Sequence, residues 1–353
     1  MRMLCAAVAV CVAFVPSRAQ QAQEGQAGQG FSFRSNVALI NVTATVTDSS
    51  GRFVSGLSRD DFEIYEDGAL QPTSHFETER VPVSLGIVVD TSGSMVGERW
   101  VAAQAALNRF LIDLLGSQDE VFLYRFDNRP ELVQPWTSDR RAASRKLAGV
   151  QPRGGTAMYD AVADAIPLAQ QGTKRKKALV VISDGNDTGS RMKVNELARL
   201  IQESEVLVYA VGIEASGRAG SYSQPSVPQR TSAPPSPSPF PGRKVTTPPP
   251  APTPAPTRSA PPRNSGSSGG SGGERVNEAA LRAMTDDSGG RTEMIYSPQD
   301  LDPATAGIAS ELSQQYFLGY SSAAPKDGRW HTIEVRVKKG SYTIRARKGF
   351  IAS

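Results

Sequence analysis

The chain has 353 residues, 39% hydrophobic and 21% charged, a balance that supports ordinary folded cores and excludes collagen-like and mainly membrane-embedded classes. Its formal charge of +4 misleads, because residues 215–273 hold 15 of the 25 prolines and six basic residues but no acid. Without that stretch and residues 1–19 the chain carries 31 basic against 35 acidic residues, which offers no general footprint for a phosphate backbone and argues against nucleic acid as a partner.

Residues 1–19 read as a secretory signal peptide: Arg2, an apolar run over 4–15, Pro16, and the small residues Ser17 and Ala19 at positions −3 and −1 of a cut after Ala19. The run is too short to span a bilayer, and no later segment approaches the ~20 apolar residues needed. Export to a periplasm or to the extracellular space is therefore expected, with no transmembrane segment in the mature chain. Both cysteines, Cys5 and Cys11, lie in this segment, so the mature chain lacks disulfides, thiol nucleophiles and cysteine metal ligands. Residues 20–35, rich in Gln, Gly and Ala, are expected to be disordered.

From 36 the pattern is β. Ile40, Val42, Ala44 and Val46 alternate with Asn41, Thr43 and Thr45, as in a half-buried strand. Phe62, Ile64 and Tyr65 lead into Glu66-Asp67-Gly68, a hairpin signal because both turn positions require positive φ. The end of the chain repeats this style over 316–320 and around Ile333, Val335, Val337, Tyr342 and Ile344. Neither flank has enough strands for a core, so 36–80 and 316–353 are expected to pair into one small all-β sandwich with the middle of the chain inserted between them.

The middle, 81–315, has another rhythm. Short apolar runs at 85–89, 121–124, 178–182 and 206–211 read as parallel strands covered on both faces. Helical stretches separate them: Ala103, Leu107, Phe110, Leu111 and Leu114 form a core-facing stripe with Gly116 at the expected C-terminal cap, and others fall at 157–169, 194–203, 276–285 and 301–315. The expected class is α/β with a doubly wound sheet. Residues 215–273 cannot support a core and are expected to be a disordered excursion, so the G-x-S-x-G at 266–270 lacks the strand and helix of a nucleophile elbow.

Ligands of such a sheet collect at the carboxyl ends of the strands. Three loops there hold oxygen donors: Asp90, Ser92 and Ser94 after the first strand, Thr156 before the 157–169 helix, and Asp184 after the 178–182 strand. Two carboxylates and three hydroxyls, with no nitrogen or sulfur, suit a hard divalent cation such as Mg²⁺ and disfavour zinc. Helix capping is the competing reading for Asp90 and the serines, and a turn or cap for Thr156; Asp187 and Asp160 read as capping and helix residues.

The D-x-S-x-S, Thr and Asp pattern resembles the von Willebrand factor type A (VWA) domain with its metal-ion-dependent adhesion site, all five positions matching. The resemblance implies a Rossmann-like sheet with one antiparallel strand, a bound Mg²⁺ or Mn²⁺, and capture of a protein partner's Asp or Glu carboxylate. In the flanks, Val46-Thr47-Asp48, Glu66-Asp67-Gly68, the 315–320 segment and Arg347-Lys348-Gly349-Phe350 are similar to a bacterial family of exported VWFA-related proteins.

Enzyme readings fare poorly. His75 and His331 both lie in the β flanks, a P-loop is lacking, and a dehalogenase-like phosphatase would need an Asp where Ser92 stands. The expectation is a non-enzymatic exported binding protein. The alternatives are a structural or assembly subunit with a purely stabilising metal and, in last place, a metal-dependent hydrolase.

Overall fold

The computed structural model describes residues 38–184, 187–214 and 276–352. The signal segment 1–19, residues 20–35 and the insert 215–273 lie outside the described residues. The first flank holds β1 (Ala38–Thr47), β2 (Phe62–Glu66), β3 (Ala69–Gln71) and β4 (Thr73–Glu77). Asp67 and Gly68 both take positive φ, 49° and 80°, and turn β2 into β3. Asp tolerates this region poorly but better than most residues, and glycine takes it freely.

The central domain runs β5 (Val83–Asp90), α1 (Glu98–Arg109), β6 (Glu120–Phe126), β7 (Pro130–Thr137), α2 (Arg140–Ala148), α3 (Met158–Gln170), β8 (Lys176–Ser183), α4 (Val194–Glu203), β9 (Leu207–Ile213), α5 (Glu278–Thr285), β10 (Thr292–Ile295) and α6 (Leu301–Gln314). Its six strands lie in the order β10-β9-β8-β5-β6-β7, parallel except for β7, which pairs antiparallel with β6. All eight residues of β5 are buried, because α1, α2 and α6 cover one face of the sheet and α3, α4 and α5 the other. The apolar stripe of α1 continues into a wider π-helical turn, Phe110–Leu114. Gly116 does not cap it: the terminating residue is Leu115 in extended conformation, and a Cβ on Gly116 would collide with the Arg80 guanidinium. That glycine instead lets Arg80 reach the buried Asp119, which also accepts from the backbone N–H groups of Val83 and Gly116.

After α6 come β11 (Tyr316–Ser322), β12 (Trp330–Val337), β13 (Thr343–Arg345) and β14 (Gly349–Ile351). They interleave with the first flank into two four-stranded sheets, β13-β1-β11-β4 and β14-β12-β2-β3. Ile40, Val42, Ala44 and Val46 of β1 share one core with Phe62, Ile64, Leu318, Tyr320, Ile333 and Val335. This is an α/β domain inserted in a β-sandwich.

The other face of β1 is not solvated where it meets the central domain. Thr45 is buried, donating to Glu311 of α6 at 3.0 Å and accepting from the Gln315 amide at 3.0 Å. Nearby, Lys176 is buried at the start of β8 and its ammonium donates to the Leu312 carbonyl at 2.7 Å. Burial, assisted by Arg80, pulls its pKa down to about 8 from 10.5, with Asp119 and Glu311 partly offsetting. Between these two values the unfolded chain holds a proton that the folded chain has released, so stability rises with pH across that window. The rise amounts to roughly 3 kcal/mol at most. Urea denaturation at pH 7.5 and 10 should show it in the native chain and show it flattened in Lys176→Met.

Candidate metal centre

The order of the sheet reverses between β5 and β8, and the crevice at their carboxyl ends is where a doubly wound domain collects ligands. Asp90 is the last residue of β5, and Asp184 follows the last residue of β8. Both carboxylates are buried. Asp90 Oδ1 accepts the Ser92 backbone N–H at 2.8 Å, and Oδ2 accepts the Ser183 hydroxyl at 2.5 Å. Burial raises its pKa to about 6 despite those hydrogen bonds, and the nearby Asp184 pushes in the same direction. Among the described residues no basic side chain pairs with it.

Ser92 and Ser94 lie with their hydroxyl oxygens 2.9 Å apart, and Ser94 donates to Asp184 Oδ1 at 2.7 Å. Ser92 occupies the N-cap position of a short 3-10 turn, Gly93–Met95, but its side chain makes no cap hydrogen bond there, and the cap position of α1 is Gly97. Thr156 sits in the loop before α3. The Gly93 N–H donates to the Gly154 carbonyl at 2.9 Å and the Arg153 N–H to the Thr91 carbonyl at 2.7 Å, so this loop is laced to the serine loop. Thr156 in turn accepts on its carbonyl from the Thr188 and Gly189 N–H groups, which ties in the third loop. The chain thus brings four of the expected residues, Asp90, Ser92, Ser94 and Asp184, into one hydrogen-bonded cluster, with Thr156 on the adjoining loop.

Asp187 and Asp160 do different work. Asp187 accepts from the Tyr159 N–H at 3.1 Å and from the Ser190 hydroxyl, and Asp160 accepts from the Arg191 and Met192 N–H groups. Both brace loops against α3. His75 and His331 stand on sandwich strands, His75 beside Glu77 at 2.9 Å and His331 beside Asp67 at 2.7 Å.

Sequence reasoning missed three residues at this rim. Ser183 holds Asp90, and Asn128 Oδ1 accepts the Gly155 N–H at 2.7 Å, orienting the Thr156 loop. Arg99 reaches back from the first turn of α1 to Asp184 Oδ2 and to the Ser94 carbonyl at 2.9 Å. Its spacing five residues after Ser94 puts it one helical turn from the loop, a signal legible only once the start of α1 is known.

The donor set fits a hard divalent cation. Every side-chain donor is oxygen, and the buried Asp90 carboxylate lacks a basic partner among the described residues. Among the described residues no group of three or more His, Cys, Asp and Glu converges.

An alternating α/β domain with these three loops at its rim defines the class, and comparison with known proteins gives it a name. Residues 85–186 match the family model of the von Willebrand factor type A domain, and the chain carries such a domain. Inter-alpha-trypsin inhibitor heavy chain H2 of Mesocricetus auratus is 22% identical over 213 residues, which is 54% of this chain and 22% of that relative. The chain therefore matches less than a quarter of the relative's length. Among solved structures, a von Willebrand factor type A protein from Catenulispora acidiphila is 14% identical, covering 91% of this chain and 74% of its own with a TM-score of 0.44. Proximal thread matrix protein 1 from the mussel byssus, solved with a zinc-occupied metal-ion-dependent adhesion motif, is 11% identical, covering 71% of this chain and 50% of its own with a TM-score of 0.46. Among the described residues no helix is long and apolar enough to cross a membrane.

Proposed function

We propose that this chain is an exported, non-enzymatic binding protein that holds Mg²⁺ or Mn²⁺ through Asp90, Ser92, Ser94, Thr156 and Asp184 and captures an acidic side chain of a protein partner. The observation that carries the reading is the clustering of Ser92, Ser94, Asp90 and Asp184 at the switch point, with a buried carboxylate that lacks a basic counter-ion among the described residues.

When bound, a divalent cation supplies a positive centre with room for one further oxygen in its shell. The residues do the rest. Ser94 stands at the exposed mouth of the crevice with its hydroxyl turned in to Asp184, and Asp90 and Asp184 are buried behind it. Arg99 balances one carboxylate, leaving the other to balance a cation. Without any cation the pocket is net negative and repels a carboxylate; with one, its sign inverts. Asp160, Asp187 and Asn128 keep the loops in register, so binding selects rather than builds the site.

The test is a pull-down from the native exported fraction with mature protein in Mg²⁺, with mature protein in chelator, and with Asp90→Ala in Mg²⁺. A partner retained only in the first lane supports capture through the metal. The same partners in all three lanes would overturn it and make the cation a staple of the loops, in which case chelation lowers the melting temperature without releasing anything.

A further inference from the structure

We propose that the groove between α2 and the β6–β7 hairpin is a second anchoring surface, which takes further carboxylates of the same acidic polypeptide segment; it rests on the metal-site reading for its first anchor. The groove encloses about 410 Å³ and is lined by Arg125, Arg145, Lys146 and Arg153 against a single acid, Glu131. It adjoins the metal rim directly, because the Arg153 N–H donates to the carbonyl of Thr91, the residue between Asp90 and Ser92.

The charge is concentrated here. Residues 125–155 hold seven basic and three acidic residues, whereas the rest of the chain outside 1–19 and 215–273 holds 24 basic against 32 acidic. Part of that charge is already balanced: Arg125 pairs with Asp127 at 3.2 Å and with Glu131. The rest is available. Arg153 meets Asp127 only at 3.9 Å and Arg145 meets Asp139 only at 3.8 Å, with both arginine side chains more than 70% exposed, and such pairs contribute little. Lys146 has no ion-pair partner among the described residues. Two other open grooves among the described residues lack this imbalance, one setting Arg59 and Lys338 against Asp60 and Glu63 and another Arg291 against Glu293 and Asp300. A pocket lined by Arg175, Lys176, Lys177 and Arg347 against Glu205 shares it but, at about 20 Å³, has no room for a peptide.

A short acidic peptide segment matches this arrangement better than a long polyanion. One carboxylate completes the metal shell, its neighbours along the chain meet Arg153, Arg145 and Lys146, and beyond the groove the net negative remainder of the domain repels further charge.

The experiment uses two fluorescein-labelled peptides of about ten residues, one with an Asp followed by several Glu and a sister with those Glu replaced by Gln. Binding to mature protein is followed by anisotropy, in Mg²⁺ and in chelator, for the native chain and for Arg145→Gln/Lys146→Gln/Arg153→Gln. In Mg²⁺ the acidic peptide should bind the native chain about tenfold tighter than its sister, as expected for three modest charge pairs. The advantage should shrink with added salt and vanish in the triple variant, which should bind the sister peptide as the native chain does. Equal affinity for the two peptides, or an advantage that survives the triple substitution, would overturn the groove while leaving the metal reading intact. An advantage that persists in chelator and is lost in the triple variant supports the groove and sinks the metal reading instead. Heparin fragments that bind in a groove-dependent way while neither peptide does would also overturn the proposal, in favour of a sulfated glycan.

Discussion

Asp90→Asn is expected to remove Mg²⁺ binding while leaving the metal-free protein at least as stable as the native chain. The two effects have opposite sign because Asp90 is a buried carboxylate whose pKa burial raises to about 6. At neutral pH the folded chain keeps a charge there at a cost of roughly 1–3 kcal/mol relative to water, and an amide of the same shape avoids it. Asn can still accept the Ser92 N–H on its oxygen, and its amide can donate to the Ser183 hydroxyl, so the local hydrogen bonds have a counterpart. Calorimetric titration should show a Mg²⁺ affinity lowered by two orders of magnitude or more, since a principal anionic group is gone. Thermal melting in chelator should show no loss. In native protein, Mg²⁺ at a hundredfold excess over its dissociation constant should add about 2.7 kcal/mol of stability, a gain that the variant lacks. A variant that melts well below the native chain in chelator would mean that Asp90 is there for the fold.

Much of this was legible in the sequence, for reasons that can be given residue by residue. The β1 alternation, the buried run of β5 and the turn at Asp67-Gly68 each follow from a local rule that tertiary contacts do not override. The oxygen donors were legible because loop position follows from strand position in a doubly wound sheet. What escaped was non-local or weakly patterned. β7 contains Pro130 and Pro135 on an edge strand; α2 buries only Ala143 and Leu147; β10 has four residues. Thr45 reads as a solvent-facing strand residue, yet it is buried, because the sandwich rests its polar face on the central domain. Arg99 and the basic groove depend on how α1, α2 and the β6–β7 hairpin are brought to one rim, which spacing alone does not disclose.

The same joint that hid Thr45 makes the second large prediction. Glu311 on α6 is 1% exposed, and its carboxylate serves both halves of the molecule. From the sandwich, Thr45 donates to it at 3.0 Å and Arg345 of β13 pairs with it; from the central domain, the Tyr209 hydroxyl donates at 3.0 Å and Arg291 faces it at 3.2 Å. Gln315 closes the network by donating to Thr45 and Tyr209. Glu311→Gln keeps the size but removes the buried charge, leaving Arg345 without its counter-ion and Arg291 with Glu293 alone, while both arginine side chains keep about a third of their surface in water. Because both guanidinium groups keep contact with water, the loss is smaller than for a fully buried pair, about 2 kcal/mol, which for a chain of this size lowers the melting temperature by roughly 5 °C. Because the network spans the sandwich and the central domain, the loss should appear as a single unfolding transition moving down in urea, unless the two halves part, in which case the transition splits in two. Arg345→Met is milder alone, since Arg345 is partly exposed and Arg291 remains beside Glu311. In the double variant, Arg345→Met with Glu311→Gln should cost less than the sum of the two, the sign of direct coupling. Strict additivity would mean that Glu311 acts through packing and that the arginines are bystanders.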